Sequence, residues 1–294
     1  MTFALTLVIA GLSVGSIYAL IAITLNLTFW TTKTVNFGQG AVLMLSTMGT
    51  AYLAQTGVPV WLAGVLGISV SALAMILAER ISVRPALRIS GSMGWAVSTL
   101  GFGICIQGIV SRYLGTQAVA FPDVVLSATT FVNVFGLRIG AQYLVILAFS
   151  ISAIVILDLL LNRTVWGSVV RAVAQDRELA GMFGIPVARV VTISFALSGA
   201  LAGIAGILTA QIIGTVDPAF GFSLLISGFV AGVIGGFGSN WGALAGGLLI
   251  GVIEQIVGGF VSTAAGHGLS LALLILVLAF RPHGLLGRPE VVKL

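Results

Sequence analysis

Few side chains in this sequence could perform chemistry in apolar surroundings. Glu254 is the one carboxylate that lies well inside a long apolar run. Ionisable groups are costly there and are functional candidates by default, although at the rim of the run water would simply solvate the residue. Both alternatives stay open from the sequence. His267 lies in a predicted loop and His283 in the tail, and neither has a partner at metal-ligand spacing. No Ser/His/Asp or Cys/His constellation is present, so a membrane enzyme is the least favoured class of function.

A second set of candidate residues opens another apolar run. Asn36, Phe37, Gln39 and Gly40 belong to the stretch Asn-Phe-Gly-Gln-Gly, in which the two amides are uncharged hydrogen-bonding groups. They could face a solute path near the cytoplasmic end of a span, or they could satisfy backbone groups of their own segment.

The stretch 167–186 predicts a short amphipathic helix over about 167–185. Ser168 can cap its start, Gly184 suits a C-terminal cap, and Pro186 can open the next helix. Apolar residues recur among the charged ones at roughly helical spacing: Val169, Val170, Val173, Leu179 and Met182. Such a helix could lie passively on a membrane surface, or it could dock a cytoplasmic partner that moves the attached spans.

The elements that position these residues must be membrane-spanning helices. The 294 residues are 59% hydrophobic and 7% charged, with a mean hydropathy of +1.18. A soluble domain carries about 25% charged residues. Asp, Glu, Lys and Arg are absent from long runs at 34–78, 89–111, 139–157, 190–216 and 218–253. Unbroken runs exclude a β-barrel, which would alternate polar and apolar residues. The sequence therefore predicts one all-α, polytopic transmembrane bundle over 1–294.

The positive charges predict the topology. Most Lys and Arg residues fall in four clusters, which the positive-inside rule places in the cytoplasm: Lys33; Arg80, Arg84 and Arg88; Arg163, Arg171, Arg177 and Arg189; and Arg281, Arg288 and Lys293. Nine spans satisfy this rule, with the N-terminus outside, the C-terminus cytoplasmic and 113–138 as the main outer loop: 5–29, 35–55, 60–79, 92–112, 139–161, 190–213, 222–237, 240–261 and 268–281. The span at 222–237 is short, so a broken or re-entrant element, with eight full spans, is the alternative.

Other features of the composition concern packing and partners. Ten glycines pair at a spacing of four, which allows close helix contacts in lipid: Gly11/Gly15, Gly199/Gly203, Gly228/Gly232, Gly242/Gly246 and Gly247/Gly251. Cys105 excludes an internal disulfide and reads as a small packing residue. Glu79 and Asp158 lie at span ends and are expected at the interface. The net charge of +5 is spread over short loops and does not indicate a nucleic-acid partner.

The motifs together resemble the permeases of branched-chain amino acid ABC importers, of the LivH type. Arg171–Asp176 and Ala180–Ile185 resemble the family's coupling-helix region. Four further stretches agree along nearly the whole chain: Gly11–Ala22, Asn36–Gly40, Val233–Gly247 and Arg281–Glu290.

The resemblance implies a division of labour among subunits. Two homologous permeases form the pore in a bacterial inner membrane, two cytoplasmic ATP-binding subunits dock on the coupling helix, and an extracytoplasmic binding protein delivers the solute. The implied coupling residues are Arg171, Asp176, Arg177, Glu178, Ala180, Gly184 and Ile185. The candidates for the translocation path are Asn36, Phe37, Gln39, Gly40 and Glu254. The sequence has no phosphate-binding P-loop, so ATP must be hydrolysed by another chain, and we expect no cofactor on this one.

The nature of the cargo stays open at this point. Ala41 stands where the family commonly has a Glu, and a carboxylate there could meet a substrate ammonium group. Branched-chain or other hydrophobic amino acids are expected from the resemblance, with urea, amides or small carboxylates as alternatives. An ion-coupled secondary transporter is a further alternative, but that class relies on buried charged sites, for which Glu254 alone qualifies.

Overall fold

The computed structural model describes residues 2–87, 93–124, 130–134, 137–281 and 284–286. Helices make up most of this part of the chain, because a helix satisfies all backbone groups of an apolar segment internally. The helices are α1 (Thr2–Thr32), α2 (Gln39–Gln55), α3 (Val60–Ala78), α4 (Arg84–Ala86), α5 (Gly94–Leu114), α6 (Ala141–Arg163), α7 (Val165–Gln175), α8 (Arg177–Met182), α9 (Val187–Ile213), α10 (Phe220–Gly235), α11 (Asn240–Phe260) and α12 (Thr263–Phe280). A π-helical segment, Glu79–Val83, joins α3 to α4.

Each of the nine predicted spans corresponds to a helix. Within the described residues, seven helical stretches are long and apolar enough to cross a membrane: Phe3–Thr32, Val60–Ala86, Gly94–Leu114, Ala141–Arg163, Val187–Ile213, Asn240–Phe260 and Thr263–Phe280. The other two predicted spans correspond to the shorter helices α2, with 17 residues, and α10, with 16. The helical bundle is confirmed, and the span expected to be short is short. Arg88, Arg288 and Lys293, which entered the topology, lie outside the described residues, as does His283.

The start of α2 differs most from its prediction. The span was expected over 35–55, but residues 33–38 are not helical and α2 begins at Gln39. Lys33 has a positive φ of 58°, which turns the chain away from the axis of α1. The Asn36 side chain then accepts a hydrogen bond from the Gly38 backbone N–H at 2.9 Å, which closes a local turn. A side chain that competes for backbone groups in this way ends the helical pattern.

Two further hydrogen bonds, which start from Gln39, place the beginning of α2 deep in the bundle. Gln39 donates to the Oγ of Ser198 at 3.1 Å, and that hydroxyl donates to the Thr24 carbonyl at 2.8 Å. Thr24 lies about 12 Å before the end of α1, and Ser198 about 16 Å after the start of α9, at 1.5 Å per residue. The helix α2 therefore begins well inside the bundle, on the side of α8, and 33–38 is the segment that leads into it.

The turn between α10 and α11 is also held inside the bundle. Gly236 and Gly238 have positive φ values of 99° and 87°, which allow a tight reversal. The buried Asn26 of α1 clamps this turn, because its Oδ1 accepts from the Gly238 N–H at 3.1 Å and its Nδ2 donates to the Ser239 carbonyl at 3.4 Å. Farther along the chain, the Leu285 N–H donates to the carbonyl of Ile234 at the end of α10 at 2.8 Å.

The core is built around α1, which packs against α11 through glycines. A Cβ added at Gly15 would come within 2.6 Å of the Gly247 carbonyl oxygen. One added at Gly251 would overlap the backbone of Gly15 and the carbonyl oxygen of Gly11. The paired glycines thus bring the two backbones into contact, as their spacing predicts. Gly199 and Gly203 contact α3, and Gly242 and Gly246 contact α10, in the same manner. A Cβ added at Gly232 would come no closer than 3.5 Å to its nearest neighbour, Ala22, which is an ordinary van der Waals contact.

Short strands close the end of the bundle opposite α8. Strand β1 (Val119–Ala120) pairs antiparallel with β4 (Thr215–Val216), and β2 (Phe131–Val134) pairs antiparallel with β3 (Leu137–Gly140). The first pair joins the loop after α5 to the end of α9, so the predicted outer loop is tied to a core helix.

The outward faces of several helices are apolar. Large exposed aliphatic and aromatic side chains lie on α3, α5, α6 and α12. Cys105 of α5, interpreted from the sequence as a small packing residue, is exposed on this chain and does not pack in its interior. A helix whose inner side packs on the bundle and whose outer side is apolar suits a lipid environment.

The contact between α1 and α11 yields a first prediction. Replacing Gly251 with Ala should lower the thermal stability of the detergent-solubilised protein, because the added methyl overlaps the backbone of Gly15. Overpacking of this kind costs about 1–3 kcal/mol. Gly108→Ala is the matched control, since a Cβ there meets nothing within 4 Å. Heating followed by size-exclusion chromatography measures both variants, and equal melting temperatures would contradict the role given to Gly251.

Candidate functional site

The predicted coupling segment forms two helices instead of one. Helix α7 covers Val165–Gln175 and α8 covers Arg177–Met182, so the single helix expected over 167–185 is wrong. The start is also capped differently. Thr164, not Ser168, is the N-cap, because its hydroxyl accepts the Gly167 N–H at 3.2 Å.

Asp176 causes the break between the two helices. Its backbone is extended, with φ −156° and ψ 114°, and its carboxylate accepts the N–H groups of Glu178 and Leu179, each at 3.0 Å. Asp176 is therefore the N-cap of α8, a role that Asp fills well because its short side chain reaches the free N–H groups of the first turn. The sequence indicated charge at this position but not this local function.

The end of α8 presents an apolar tip. Gly184 has a φ of 79° and donates to the Gly181 carbonyl at 3.0 Å, while the Ile185 N–H donates to the Ala180 carbonyl at 3.1 Å. These bonds form the predicted glycine C-cap, and Pro186 directly precedes α9 as expected. The cap leaves Met182 and Phe183 at the turn, 82% and 85% exposed. We refer to these two residues as the α8 tip.

Helix α7 is anchored on the bundle, in contrast to the tip. Val170 and Val173 are fully buried, and Gly167 lies directly against the backbone of Leu161 at the end of α6. Arg171 donates to the Leu161 carbonyl and also to the Oδ1 of Asn162 at 3.3 Å. Arg171 therefore fastens α7 to α6, so a force on α7 would act directly on a span.

The first residue of α8, Arg177, lies beside an ion pair between the partly exposed Arg84 and the buried Glu79. Arg84 donates to both carboxylate oxygens of Glu79, at 2.9 and 3.1 Å, and Thr192 of α9 donates to the same carboxylate at 3.1 Å. Arg177 lines the adjoining cavity of about 360 Å³. Burial lowers the pKa of the Arg177 guanidinium, and the Glu79 carboxylate opposes that shift. Glu79, which was expected at the membrane interface, directly follows α3 and lies beside basic residues, and its side chain is buried in the protein.

The π-helical segment explains why the sequence did not reveal this pair. Glu79 and Arg84 are five residues apart, a spacing that does not place two side chains on one face of an α-helix. The π-helix closes its hydrogen bonds at that spacing and brings the two side chains together. Asp158, the other carboxylate expected at the interface, accepts a hydrogen bond from Asn240 at 3.1 Å.

Three candidate residues of the second span, Asn36, Gln39 and Gly40, are buried between helices, and Phe37 is partly buried. Asn36 satisfies the backbone of its own segment, one of the two alternatives considered for it, and its Nδ2 contacts the Met75 sulfur at 3.3 Å. Gln39 instead bonds across to Ser198 of α9. Gly40 packs on Gly221 at the start of α10, where an added Cβ would lie 2.6 Å from the Gly221 carbonyl oxygen.

Phe37 belongs to a row of aromatic rings. It lies parallel to Trp95 with ring centroids 6.2 Å apart, and its centroid is 6.0 Å from that of Phe229. Phe237 continues the row, with centroids 5.7 Å from Phe229 and 5.4 Å from Phe29. The two irregular segments, 33–38 and 236–239, thus meet through aromatic contacts that join α1, α5 and α10.

Glu254 is buried within α11 and hydrogen bonded on both oxygens. The Tyr18 hydroxyl donates to Oε2 at 2.7 Å, and the Nδ1 of His267 lies 3.2 Å from Oε1. Glu254 is 7% exposed, so its side chain is buried in the protein and is not solvated at the rim of the span. His267 was expected in a loop, but α12 begins at Thr263 and includes it. Gly266 lets α12 approach α11 closely at this point, because its backbone lies directly against that of Glu254.

The predicted residues therefore form three separate groups. The coupling residues lie around α7 and α8, the second-span residues lie deep in the bundle, and Glu254 lies toward the opposite end. Among the described residues, no group of three or more His, Cys, Asp or Glu side chains could hold a metal ion. Sequence reasoning missed Tyr18 and Thr192, whose partners Glu254 and Glu79 come from distant parts of the chain, and it missed the pairing of Glu79 with Arg84.

Comparison with known proteins assigns this architecture to a family. The profile described as branched-chain amino acid transport system / permease component matches residues 7–278. The high-affinity branched-chain amino acid transport system permease protein LivH of Salmonella typhimurium is 35% identical over 96% of this chain and 95% of its own length. The permease protein BraD of Pseudomonas aeruginosa is 33% identical over the same shares.

A solved structure shares the fold at low sequence identity. The chain is similar to PsaBC from Streptococcus pneumoniae in complex with Fab, with a TM-score of 0.50 and 13% identity over 91% of this chain and 89% of that one. The resemblance drawn from the motifs is confirmed along nearly the whole sequence. The chain belongs to the family of branched-chain amino acid transport system permease components.

Proposed function

We propose that this chain is the pore-forming permease subunit of an ATP-driven importer for branched-chain or other hydrophobic amino acids. The observation that carries the proposal is the family match from residue 7 to residue 278, with relatives named for branched-chain amino acid transport. The chain itself binds no cofactor in this proposal, and ATP is hydrolysed by partner subunits. It lies in the bacterial inner membrane with its C-terminus in the cytoplasm.

The proposed assembly contains three kinds of partner. A second, homologous permease completes the pore, two cytoplasmic ATP-binding subunits supply the energy, and an extracytoplasmic binding protein delivers the amino acid. The exposed apolar faces of the outer helices suit contact with lipid and with a second permease.

The α7–α8 pair is the proposed contact with the ATP-binding subunits. Its end is free of the bundle, since the α8 tip is almost fully exposed and apolar, whereas α7 is fixed to α6 through Arg171. A water-facing apolar pair of this kind marks a protein contact. The remaining proposed coupling residues, Asp176, Arg177, Glu178, Ala180, Gly184 and Ile185, shape or flank α8.

The proposed translocation path passes the irregular backbone of the bundle. Asn36, Phe37, Gln39 and Gly40 lie on the segment that enters α2, and Glu254 lies farther toward the outer end. Irregular backbone at membrane depth occurs only where protein covers it or where it lines a cavity, so such segments are where a transporter can open.

Reconstitution tests the function as a whole. The permease pair, the ATP-binding subunits and the binding protein are assembled in liposomes, and uptake of labelled leucine is followed. We expect uptake to require both ATP and the binding protein. Uptake that persists without ATP and follows an ion gradient would overturn the proposal in favour of a secondary transporter.

The α8 tip should carry the docking energy. We expect the double replacement Met182→Ser and Phe183→Ser to remove binding-protein-stimulated ATP hydrolysis, because burial of each large apolar side chain contributes about 1.5–3 kcal/mol. Co-purification of the ATP-binding subunits should fall with it. Val165→Ser is the control, since Val165 is 82% exposed but lies at the other end of α7. Equal losses in both variants would remove the special role of the tip.

We expect Asp176 to support coupling by capping the N-terminus of α8. Asp176→Lys removes the acceptor of two backbone N–H groups and costs about 1 kcal/mol of helix stability, whereas Asp176→Asn keeps a good N-cap without the charge. We expect stimulated ATP hydrolysis to survive in the Asn variant and to fall in the Lys variant, and the double variant with Glu178→Lys to lose it while still inserting into the membrane. A loss in Asp176→Asn as large as in Asp176→Lys would instead assign the residue an ionic contact with the partner.

A further inference from the structure

A cavity of about 410 Å³ lies beside Glu254, in the half of the bundle opposite α8. Five helices enclose it: the first half of α1, the last turn of α9, the start of α10, the end of α11 and the start of α12. Its volume falls within the range of small-molecule sites, about 300–1,000 Å³. Ser223 and His267, which line it, are exposed, so the cavity is open at one side.

One wall of the cavity carries negative charge. The Glu254 carboxylate holds bonds to Tyr18 and His267, one on each oxygen. A carboxylate offers about four lone-pair positions, so two bonds leave room for further donors. An ammonium group supplies three N–H donors and a compensating positive charge, which a buried carboxylate favours strongly.

A second part of the wall suits the opposite charge. Helix α12 begins at Thr263, with Ser262 as N-cap, and both Thr263 and His267 line the cavity. The first turn of an 18-residue helix directs free backbone N–H groups and the positive end of its dipole outward, which favours a carboxylate. The Glu254 carboxylate therefore lies next to the first turns of α12, because His267 of that helix contacts it.

The remaining wall is aliphatic. Ile17 of α1, Ile212 of α9 and Leu224 of α10 line it, and these side chains would bury a branched apolar group. An acidic group, a helix start and an aliphatic surface together match the three parts of an aliphatic α-amino acid. We propose that this cavity binds the cargo amino acid within the permease, with its ammonium at Glu254, its carboxylate at the start of α12 and its side chain against Ile17 and Leu224. This rests on the function proposed above and adds a site for the cargo.

The site is tested by protection of a single cysteine. In the assembled importer without binding protein, Cys105→Ser removes the native thiol and Ser223→Cys places one at the rim of the cavity. Maleimide labelling is timed with and without millimolar leucine. We expect leucine at ten times its dissociation constant to slow labelling about tenfold, as occupancy of one site requires. Phe222→Cys is the control, because Phe222 is exposed next to Ser223 but does not line the cavity.

Ligand chemistry separates the parts of the proposed site. Isocaproate has the side chain and carboxylate of leucine without the ammonium, and isoamylamine lacks the carboxylate. We expect neither to protect as well as leucine, with isocaproate the weaker because it cannot meet Glu254. Glu254→Gln should weaken protection by leucine about tenfold or more, as expected for loss of a charged hydrogen-bond partner. The ligand series uses the unchanged Glu254, so it decides the proposal even if this variant fails to assemble.

The outcomes distinguish the site from the function. Unaltered labelling of Ser223→Cys by leucine, or a thiol that never reacts, overturns the site, while ATP-dependent leucine uptake by the same complex would leave the proposed function standing. Equal protection of Phe222→Cys also overturns it, because leucine would then act through a general change in shape. Protection by leucine without any leucine uptake would contradict the proposed function and support the cavity alone.

Discussion

The close contact of α1 with α11 is the constraint on which the rest of the structure depends. Lipid provides no hydrophobic force between helices, so their association relies on van der Waals packing and hydrogen bonds at short range. Four glycines allow the two helices to approach so closely that their backbones are in contact: Gly11, Gly15, Gly247 and Gly251. With the two helices so close, Tyr18 reaches Glu254 and Asn26 reaches the turn before α11. The cavity and the buried turn are both consequences of this contact.

The bundle combines long continuous helices with short helices that are flanked by irregular segments. The long helices α1, α9 and α11 are continuous, whereas α2 and α10 are short and begin or end within protein. The short helices meet at Gly40 and Gly221, and their irregular ends are linked by the aromatic row through Phe37. Discontinuous helices form the substrate sites of many membrane transporters, and one part of the bundle moves against another around that site. Helix α7 is fastened to the end of α6 by Arg171, so a force applied to α7 would act on a continuous helix.

The sequence predicted most of the fold because its signals are local. Charge-free runs located the spans, and glycines at a spacing of four located the close contacts. The failures have physical causes in distant or unusual contacts. The single coupling helix was wrong because Asp176 caps a new helix instead of continuing the old one. The pair Glu79 and Arg84 needed a π-helix to become neighbours. The setting of Glu254 depended on Tyr18, more than 230 residues away, and on a helix start that moved His267 out of a loop.

The position of α1 in the chain has a consequence for biosynthesis. This helix is made before the other described helices, and it buries Ser13, Ser16, Thr24 and Asn26 inside the bundle that those later segments complete. Ser13 donates to a carbonyl of α6, and Asn26 and Gly15 find their partners only with α10 and α11. Until then, the newly inserted helix has polar side chains and glycine surfaces that no other helix covers. The bundle around α1 is therefore complete only after α11 has been made, and a chain that stops earlier leaves α1 incompletely packed and prone to aggregate.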